Sequence, residues 1–359
     1  MYAKGLKVLV LNLGSTSTKV AVYIDERDSF KISINHSRQD LDKFKDIWEQ
    51  YEYRKEAIVD ALAENGYEMD GFQIIVTRGG TIKPIPGGIY LINKEMLSDM
   101  KTGAYGVHPT NVGSQIAYDL GKNHNIPVVT LDPPVTDEMW NLSRYSGIPQ
   151  ITRQSSFHAL NQKATARKLA FDLNKKYEDL NLIIAHLGGG ISIGAHKNGK
   201  VIDVNNALNG DGPFAPERSG GLPVGELIKM CYSNKYTEAE MLKLVTGGGG
   251  LIAYLGTADA LEIEGLIDKG DNLAKEVYEA MAYQISKEIG AMAAALCGRV
   301  DAIGLTGSLA KSNKTIEFIK ERISFVAPVY LYPGENEMEA LALGALRYAY
   351  GVENASIYK

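Results

Sequence analysis

The sequence predicts an α/β protein built from two similar β-cored domains, and three observations predict it. A chain of 359 residues is long for a single core and suggests two domains of roughly 100–200 residues each. Residues 182–203, LIIAHLGGGISIGAHKNGKVID, read as a buried strand, a glycine turn, a second strand, a tight turn and a third strand. The start of the chain repeats that design: apolar runs at 8–11 and 20–24 flank Asn12-Leu13-Gly14 and the hydroxyl-rich Ser15-Thr16-Ser17-Thr18-Lys19. Placing Gly14 on Gly188 puts Asn12-Leu13-Gly14 on His186-Leu187-Gly188. The match is short and degenerate. Taken as a repeat, it gives each domain one anion-binding hairpin, both presented to one shared cleft.

The central hairpin follows from local chemistry. Asn198-Gly199 accepts positive φ at both positions and so signals a two-residue turn between strands 191–195 and 201–204. Gly188, Gly189 and Gly190 lack Cβ atoms, so their backbone N–H groups can close on an anion.

The remaining elements come in order. Apolar residues at helical spacing predict a helix over 42–65, with Gly66 as its stop. A strand is predicted over 72–76, followed at once by Thr77-Arg78-Gly79-Gly80, and a Pro/Gly loop leads to another strand at 89–92. Helices are predicted over 93–100 and 111–123, separated by a loop holding His108-Pro109. The buried strand 127–131 ends at Asp132. Ligands gather beyond the carboxyl ends of strands in open α/β sheets, a position that Arg78 and Asp132 both satisfy. A turn or helix is predicted over 137–145, and Ile148-Pro149 offers a hinge. Ser155 or Ser156 offers an N-cap for a helix running to about Leu173.

Residues 205–223 form a Gly/Pro-rich loop containing Arg218, and so long a loop points to function or disorder. Helices are predicted over 224–233, 237–246, 271–297, 316–323 and 339–350. Strands are predicted over 301–305, meeting Gly307-Ser308, and over 329–332. The long helix 271–297 sets Leu273, Val277, Met281, Ile285, Ile289, Met292 and Leu296 on one face.

Composition narrows the function. A net charge of −5 gives no basic field for nucleic acid or anionic lipid. No apolar run approaches the roughly 20 residues of a membrane helix, and Met1–Gly5 leading straight into a predicted strand gives the expectation of no signal peptide. Cys231 and Cys297 lie in apolar helical contexts without partners at metal-ligand spacing, which predicts buried, reduced thiols and a cytoplasmic protein. P-loop, H-E-x-x-H and C-x-x-C motifs are absent, and the residues after Gly188-Gly189-Gly190 are β-rich where a dinucleotide fold needs a helix.

The candidate residues each have a plain alternative. Asn12 and the hydroxyls at 15–18 could cap a hairpin. Arg78 could be a surface residue, Asp132 a turn cap, and His108, His158 and His186 structural histidines. Arg218 is the hardest to explain structurally, because its loop is so poor in charge. Together, two arginines, a carboxylate and a histidine near two phosphate-type hairpins make the kit for phosphoryl transfer: cations for the equatorial oxygens and Mg²⁺ for the nucleotide.

At this point the chain resembles the acetate and butyrate kinase family, part of the larger sugar kinase, Hsp70 and actin superfamily. The motifs are LVLNLGSTSTKVAVY at the start, HPTN at 108–111, LDPPVTDEMW at 131–140, RQSSFHALNQKATAR at 153–167, the stretch 185–223, GLTGS at 304–308 and PGENEMEALALGA at 333–345. TRGG at 77–80 and HLGGG at 186–190 look more like the butyrate and branched-chain fatty acid kinases than the acetate kinases.

The resemblance implies two duplicated actin-like, ribonuclease-H-like βββαβαβα domains flanking an interdomain cleft. The first would span 1–150 with 338–359, the last helix returning to it, and the second, nucleotide-binding, 151–337. The implied reaction is ATP + butyrate ⇌ ADP + butyryl phosphate, with Mg²⁺. Acetate, propionate or a branched acid is the alternative substrate, and a non-catalytic actin- or Hsp70-like nucleotide switch the alternative class.

Carried over by motif, Asn12 and Glu337 would organise metal-bound phosphates, and Asp132 would orient substrate and metal. Ser15, Ser17 and Lys19 would join the phosphate hairpin. Arg218 and His158 would stabilise the phosphoryl group in flight, with His108 nearby. His186 with Gly188, Gly189 and Gly190 would cradle nucleotide phosphates, and Gly307 and Ser308 would lie by the adenosine. Val107 and Phe157 would line the alkyl end of the acid. Acetate kinases carry a carboxylate-binding arginine where this chain has Ile75, so that either Arg78 reaches the same carboxylate from a shifted backbone or the substrate is anchored differently. Glu335 and Glu339 offer alternative registers for Glu337. The long amphipathic helices imply apolar surface for a homodimer or a larger homo-oligomer.

Overall fold

The computed structural model describes residues 5–359. Met1–Lys4, which the sequence reading joins to the first strand, lie outside the described residues. The chain divides into two compact units: residues 1–136 with 336–359, and residues 137–335.

In the first unit, strands β1 (Lys7–Leu13), β2 (Ser17–Ile24) and β3 (Arg27–Asn35) form an antiparallel meander. They are followed by β4 (Ile74–Thr77), β5 (Ile89–Leu91) and β6 (Val128–Leu131). In the second unit, β7 (Asn181–Leu187), β8 (Ile191–Lys197) and β9 (Lys200–Val204) repeat the meander, with β10 (Ala302–Gly307) and β11 (Val329–Pro333) beside it. The chain closes with β12 (Ser356–Ile357), paired to β5. The sheet orders are β12-β5-β6-β4-β1-β2-β3 and β11-β10-β7-β8-β9. Each sheet thus carries a three-stranded antiparallel ribbon whose first strand is joined by two further parallel strands: β4 and β6 in one, β10 and β11 in the other.

The repeat extends to where the strands start, although the pairing within the second hairpin is shifted by one residue. Strands β1 and β7 begin and end at the same offset as Gly14 and Gly188, and so do the starts of β2 and β8. Periodicity 2 is lost in β1 and β7, where nearly every residue is buried, because both faces of the sheet are covered. The last helix, Glu337–Ala349, covers one face of the first unit. It comes close enough that a Cβ on Gly344 would lie 2.2 Å from Leu131 Cδ1. The helix Pro109–His124 packs Val112, Ile116, Ala117 and Leu120 into the first core with Ile58 and Leu62. In the second unit, the helix Asn272–Ala295 buries Val277, Met281, Ile285, Ile289 and Met292 against β7, β8 and β10.

Several expectations change. Leu273, placed by spacing on the apolar face of that helix, is exposed, and the first turn packs Ala274 into the core instead. Cys231 and Cys297 are exposed rather than buried. Cys231 ends the helix Val224–Cys231, whose residues show no full burial, and Cys297 follows a helix end with φ +55°. Ser155 and Ser156 do not cap the helix Ala159–Asp172; its N-cap position is His158. The helix expected over 42–65 is shorter, Tyr51–Glu64. The segment 137–150 packs with the second unit. Arg144 makes a bidentate pair with Asp137, and the Trp140 N–H donates to the Ile202 carbonyl. Among the described residues, no helix is long and apolar enough to cross a membrane.

Candidate active site

In the first unit the turn joining β1 to β2 is closed by the Gly14 N–H donating to the Ser17 carbonyl at 2.8 Å. Ser15 and Lys19 are exposed at this tip and Ser17 is half-buried. Behind the tip lies Arg54, fully buried on the helix Tyr51–Glu64. Its guanidinium donates to the carbonyls of Gly14 (3.1 Å), Ser15 (2.9 Å) and Ser17 (3.3 Å) and to Thr18 Oγ1 (3.1 Å). With these carbonyls turned inward, the turn keeps a compact, positively backed tip. Burial holds the Arg54 pKa below its ordinary value, yet arginine keeps its charge.

Asn12, Arg78 and Glu337 converge although they lie far apart in sequence. Asn12 Nδ2 donates to Glu337 Oε2 at 2.9 Å, and Arg78 pairs with Glu337 Oε1 at 3.2 Å. Of the three glutamates offered by sequence, Glu337 is therefore the one joined to Asn12. Ile75 is fully buried in β4 and cannot hold a carboxylate, whereas Arg78 lies one residue beyond the strand end and is half-exposed.

Asp132 is 1% exposed with φ +40°, and its Oδ1 accepts the Gly88 N–H at 2.8 Å. His108 caps the helix Pro109–His124: its Nδ1 accepts the Thr110 N–H, so the hydrogen of the neutral ring sits on Nε2. Burial, and then the nearby Arg78, hold the His108 pKa below its ordinary value and keep the ring neutral. Val107, beside it, is exposed.

In the second unit the tip of β7–β8 is Gly188-Gly189-Gly190. Here glycine is needed for space, not for a left-handed backbone. A Cβ on Gly190 would stand 1.8 Å from Arg218 Nη1, so the guanidinium lies directly on this residue. Arg218 Nη1 donates to the Ala207 carbonyl, its buried Nε makes no hydrogen bond, and burial lowers its pKa. The long loop that carries it is ordered by many small ties. Asn205 bridges Ile191 and Ile193, Glu217 N–H donates to Gly189, and Ser219 N–H donates to Val245.

His158 and His186 stack with ring centroids 3.8 Å apart and planes 13° apart. His186 is 2% exposed, so it backs His158 instead of facing outward, and its Nδ1 meets Asn161 Oδ1 at 2.8 Å. Phe157 is buried with Met139, Ala159, Val201 and Val204. A cavity of about 660 Å³ is lined by Gly188, Gly189, Glu217, Glu264, Ser308 and Lys311, among others. It joins the glycine tip to Ser308, while Gly307 (φ +93°) allows β10 to pass close to the Leu187 carbonyl.

Sequence reasoning missed Arg54, Gln162 and Ser192. A signal existed for the first two. Arg54 falls on the helix stripe of Ile58, Ala61 and Leu62, and Gln162 on that of Ala166 and Leu169, so each is a polar group on a buried face. Among the described residues, no group of three or more His, Cys, Asp or Glu side chains converges as a metal cluster. The oxygens of Asn12 and Glu337 are hard donors of the kind Mg²⁺ takes, and Mg²⁺ is commonly held by only one or two carboxylates plus substrate phosphates.

Residues 140–325 match the model of the Acetokinase family. The chain is 49% identical over 353 residues to butyrate kinase 2 of Clostridium acetobutylicum, covering 98% of this chain and 99% of the relative. It superposes on the acetate kinase of Porphyromonas gingivalis with a TM-score of 0.76 at 20% identity, covering 95% and 99% of the two chains. A propionate kinase from Francisella tularensis gives a TM-score of 0.75 at 20% identity, with coverage of 95% and 99%. The likeness to these structures shows the fold, a duplicated actin-like one.

Proposed function

Because this chain belongs to the acetokinase family, we propose that it is a short-chain carboxylate kinase that transfers the γ-phosphoryl group of ATP to butyrate, giving butyryl phosphate and ADP. The observation that carries the reading is the Arg218 guanidinium laid on the glycine tip, with a donor left over at a buried position. Such a group stabilises the charge of a phosphoryl group in flight.

The reaction needs no general base. A carboxylic acid is already ionised at neutral pH, so its oxygen attacks the γ-phosphorus directly while the bond to the β–γ bridging oxygen breaks and ADP leaves with the electron pair. What the chain must supply is positive charge and position. Arg218 and His158 donate to the phosphoryl oxygens. Gly189 and Gly190 offer backbone N–H groups to the nucleotide phosphates, the expected Gly188 N–H being held instead by the Gly190 carbonyl, and Ser308 lies by the adenosine. Asp132 and Arg78 orient the acid, neutral His108 offers Nε2–H, and Val107 faces the alkyl tail. Ser15, Ser17 and Lys19 receive phosphate oxygens at the tip that Arg54 backs. Asn12 and Glu337 hold Mg²⁺, which when bound neutralises phosphate charge. We assign the protein to the cytoplasm, where ATP is maintained. We also propose a homodimer or larger homo-oligomer, supported by the exposed Val224, Ile228 and Tyr232.

The test is incubation with ATP, Mg²⁺, hydroxylamine and each acid from C2 to C6, reading hydroxamate. Butyrate giving the highest kcat/KM supports the reading. Acetate or propionate exceeding it tenfold moves the substrate assignment, and no hydroxamate with any acid overturns the kinase.

A further inference from the structure

A chain of hydrogen bonds runs from His158 into the core of the second unit. Ser192 Oγ lies 2.9 Å from His158 Nδ1. Gln162 Nε2 donates to Ser192 Oγ at 2.8 Å and to the Ser192 carbonyl at 3.0 Å. Gln162 Oε1 is 3.0 Å from His196 Nε2, and His196 Nδ1 is 2.7 Å from the Tyr177 hydroxyl. Gln162, Ser192 and His196 are fully buried and Tyr177 nearly so.

The direction of each bond follows from the groups themselves. The Ser192 carbonyl can only accept, so the amide nitrogen of Gln162 must face it and Oε1 must face His196. His196 therefore carries its hydrogen on Nε2 and accepts from Tyr177 on Nδ1. Ser192 Oγ accepts from Gln162 and, at 3.4 Å, from the backbone N–H of His158. Its own hydrogen is left to point at His158 Nδ1. The neutral His158 ring then holds its hydrogen on Nε2. Its stacked neighbour is set the other way. Asn161 donates through Nδ2 to the Glu335 carbonyl, so its Oδ1 accepts from His186 Nδ1–H.

We propose that Gln162 is a positioning residue that, through Ser192, fixes His158 as the Nε2–H tautomer and so presents a donor, not a lone pair, to the phosphoryl oxygens. The inference rests on the reading that His158 touches the transferring group. A lone pair aimed at a polyanion would repel it, and a catalytic histidine held in the wrong tautomer can cost on the order of 10⁴ in kcat.

The test uses the full-length enzyme labelled with ¹⁵N at its six histidines, with His158 assigned from a His158→Gln variant. Spectra at pH 8 are expected to show His158 with hydrogen on Nε2 and none on Nδ1. Gln162→Glu removes the amide donor and draws the Ser192 hydrogen to the new carboxylate. The Nδ1–H form of His158 should then appear, and kcat should fall about 10–100-fold with both KM values within threefold. Gln162→Met keeps the volume without forcing either tautomer, and should lose less activity than Gln162→Glu whichever variant melts lower. Ser192→Ala, a smaller change, should mix the tautomers if the glutamate variant does not fold.

Wild-type His158 carrying hydrogen on Nδ1, or a tautomer unchanged in both Gln162→Glu and Ser192→Ala, overturns the inference while leaving kinase activity intact. Loss of the kinase reading would show instead as absent hydroxamate in wild type.

Discussion

The two hairpins share their first strand's length and their place in the sheets, but Leu13 pairs with Thr18 and Leu187 with Ile191, one position short of the repeat, and their tips are built in opposite ways. The β1–β2 tip keeps hydroxyls and a lysine on its surface and rests on a buried cation, Arg54. The β7–β8 tip is bare glycine, overlaid by Arg218 from a distant loop and backed by stacked histidines and amides. The first tip takes its positive charge from behind and the second from above. A common backbone repeat thus sets the two turns, while the side chains that bring charge to them come from outside the repeated hairpins.

The comparison breaks most sharply at Arg218. Arg218→Ala should lower kcat by about 10³-fold or more, the range for an arginine acting on a transferring phosphoryl group, with the KM for ATP within a few-fold. Steady-state kinetics at saturating acid reads both.

Gly190→Ala tests whether the second tip really depends on close approach. The new Cβ would stand 1.8 Å from Nη1, so the guanidinium must move. We expect kcat to fall by roughly 10²-fold, as displaced catalytic groups do. The double variant should be no worse than Arg218→Ala alone, because both changes remove one interaction. Additive losses would separate the two residues.

Arg54→Met should act mainly on stability. It removes the donor that the Gly14 and Ser15 carbonyls share, leaving the Ser17 carbonyl to the Gly14 N–H, at a cost on the order of 3 kcal/mol, measurable by urea unfolding. Added inorganic tripolyphosphate should protect wild type more than the variant.

The smallest effect concerns pH. Burial depresses the pKa of both His36 and His108, with Arg54 adding to the first and Arg78 to the second. The unfolded chain binds these protons more readily than the folded one. Their contribution is therefore complete above the unfolded histidine value, near pH 6.5. It is lost as pH falls from there through the depressed folded values. Replacing both with Asn should flatten the stability profile in that window.

What the sequence reveals of this divides by range. The hairpins were legible because glycine turns and buried strands are local signals, and Asn198-Gly199 adopts positive φ at both residues as its type predicts. Strand β3 carries a period-two signal, Phe30, Ile32 and Ile34 between polar residues, and Phe30 and Ile34 pack on the first core, but the strand is only partly buried and too polar overall to stand out. The pairing of Arg78 and Asn12 with Glu337 could be anticipated only through family motifs, since no local pattern joins residues so far apart. Arg54 and Gln162 are polar residues on buried helix faces, whereas a polar side chain in a helix is usually solvated. The cysteines misled for the converse reason: an apolar neighbourhood in sequence was a helix end at the surface.

The most direct measurement is ³¹P NMR of ATP, Mg²⁺ and butyrate with wild type and with Arg218→Ala. The expected result is an acyl phosphate signal growing as the γ-phosphate signal declines in wild type, and neither change on the same timescale in the variant. Wild type yielding only ADP and inorganic phosphate, or the variant matching it, would contradict the account.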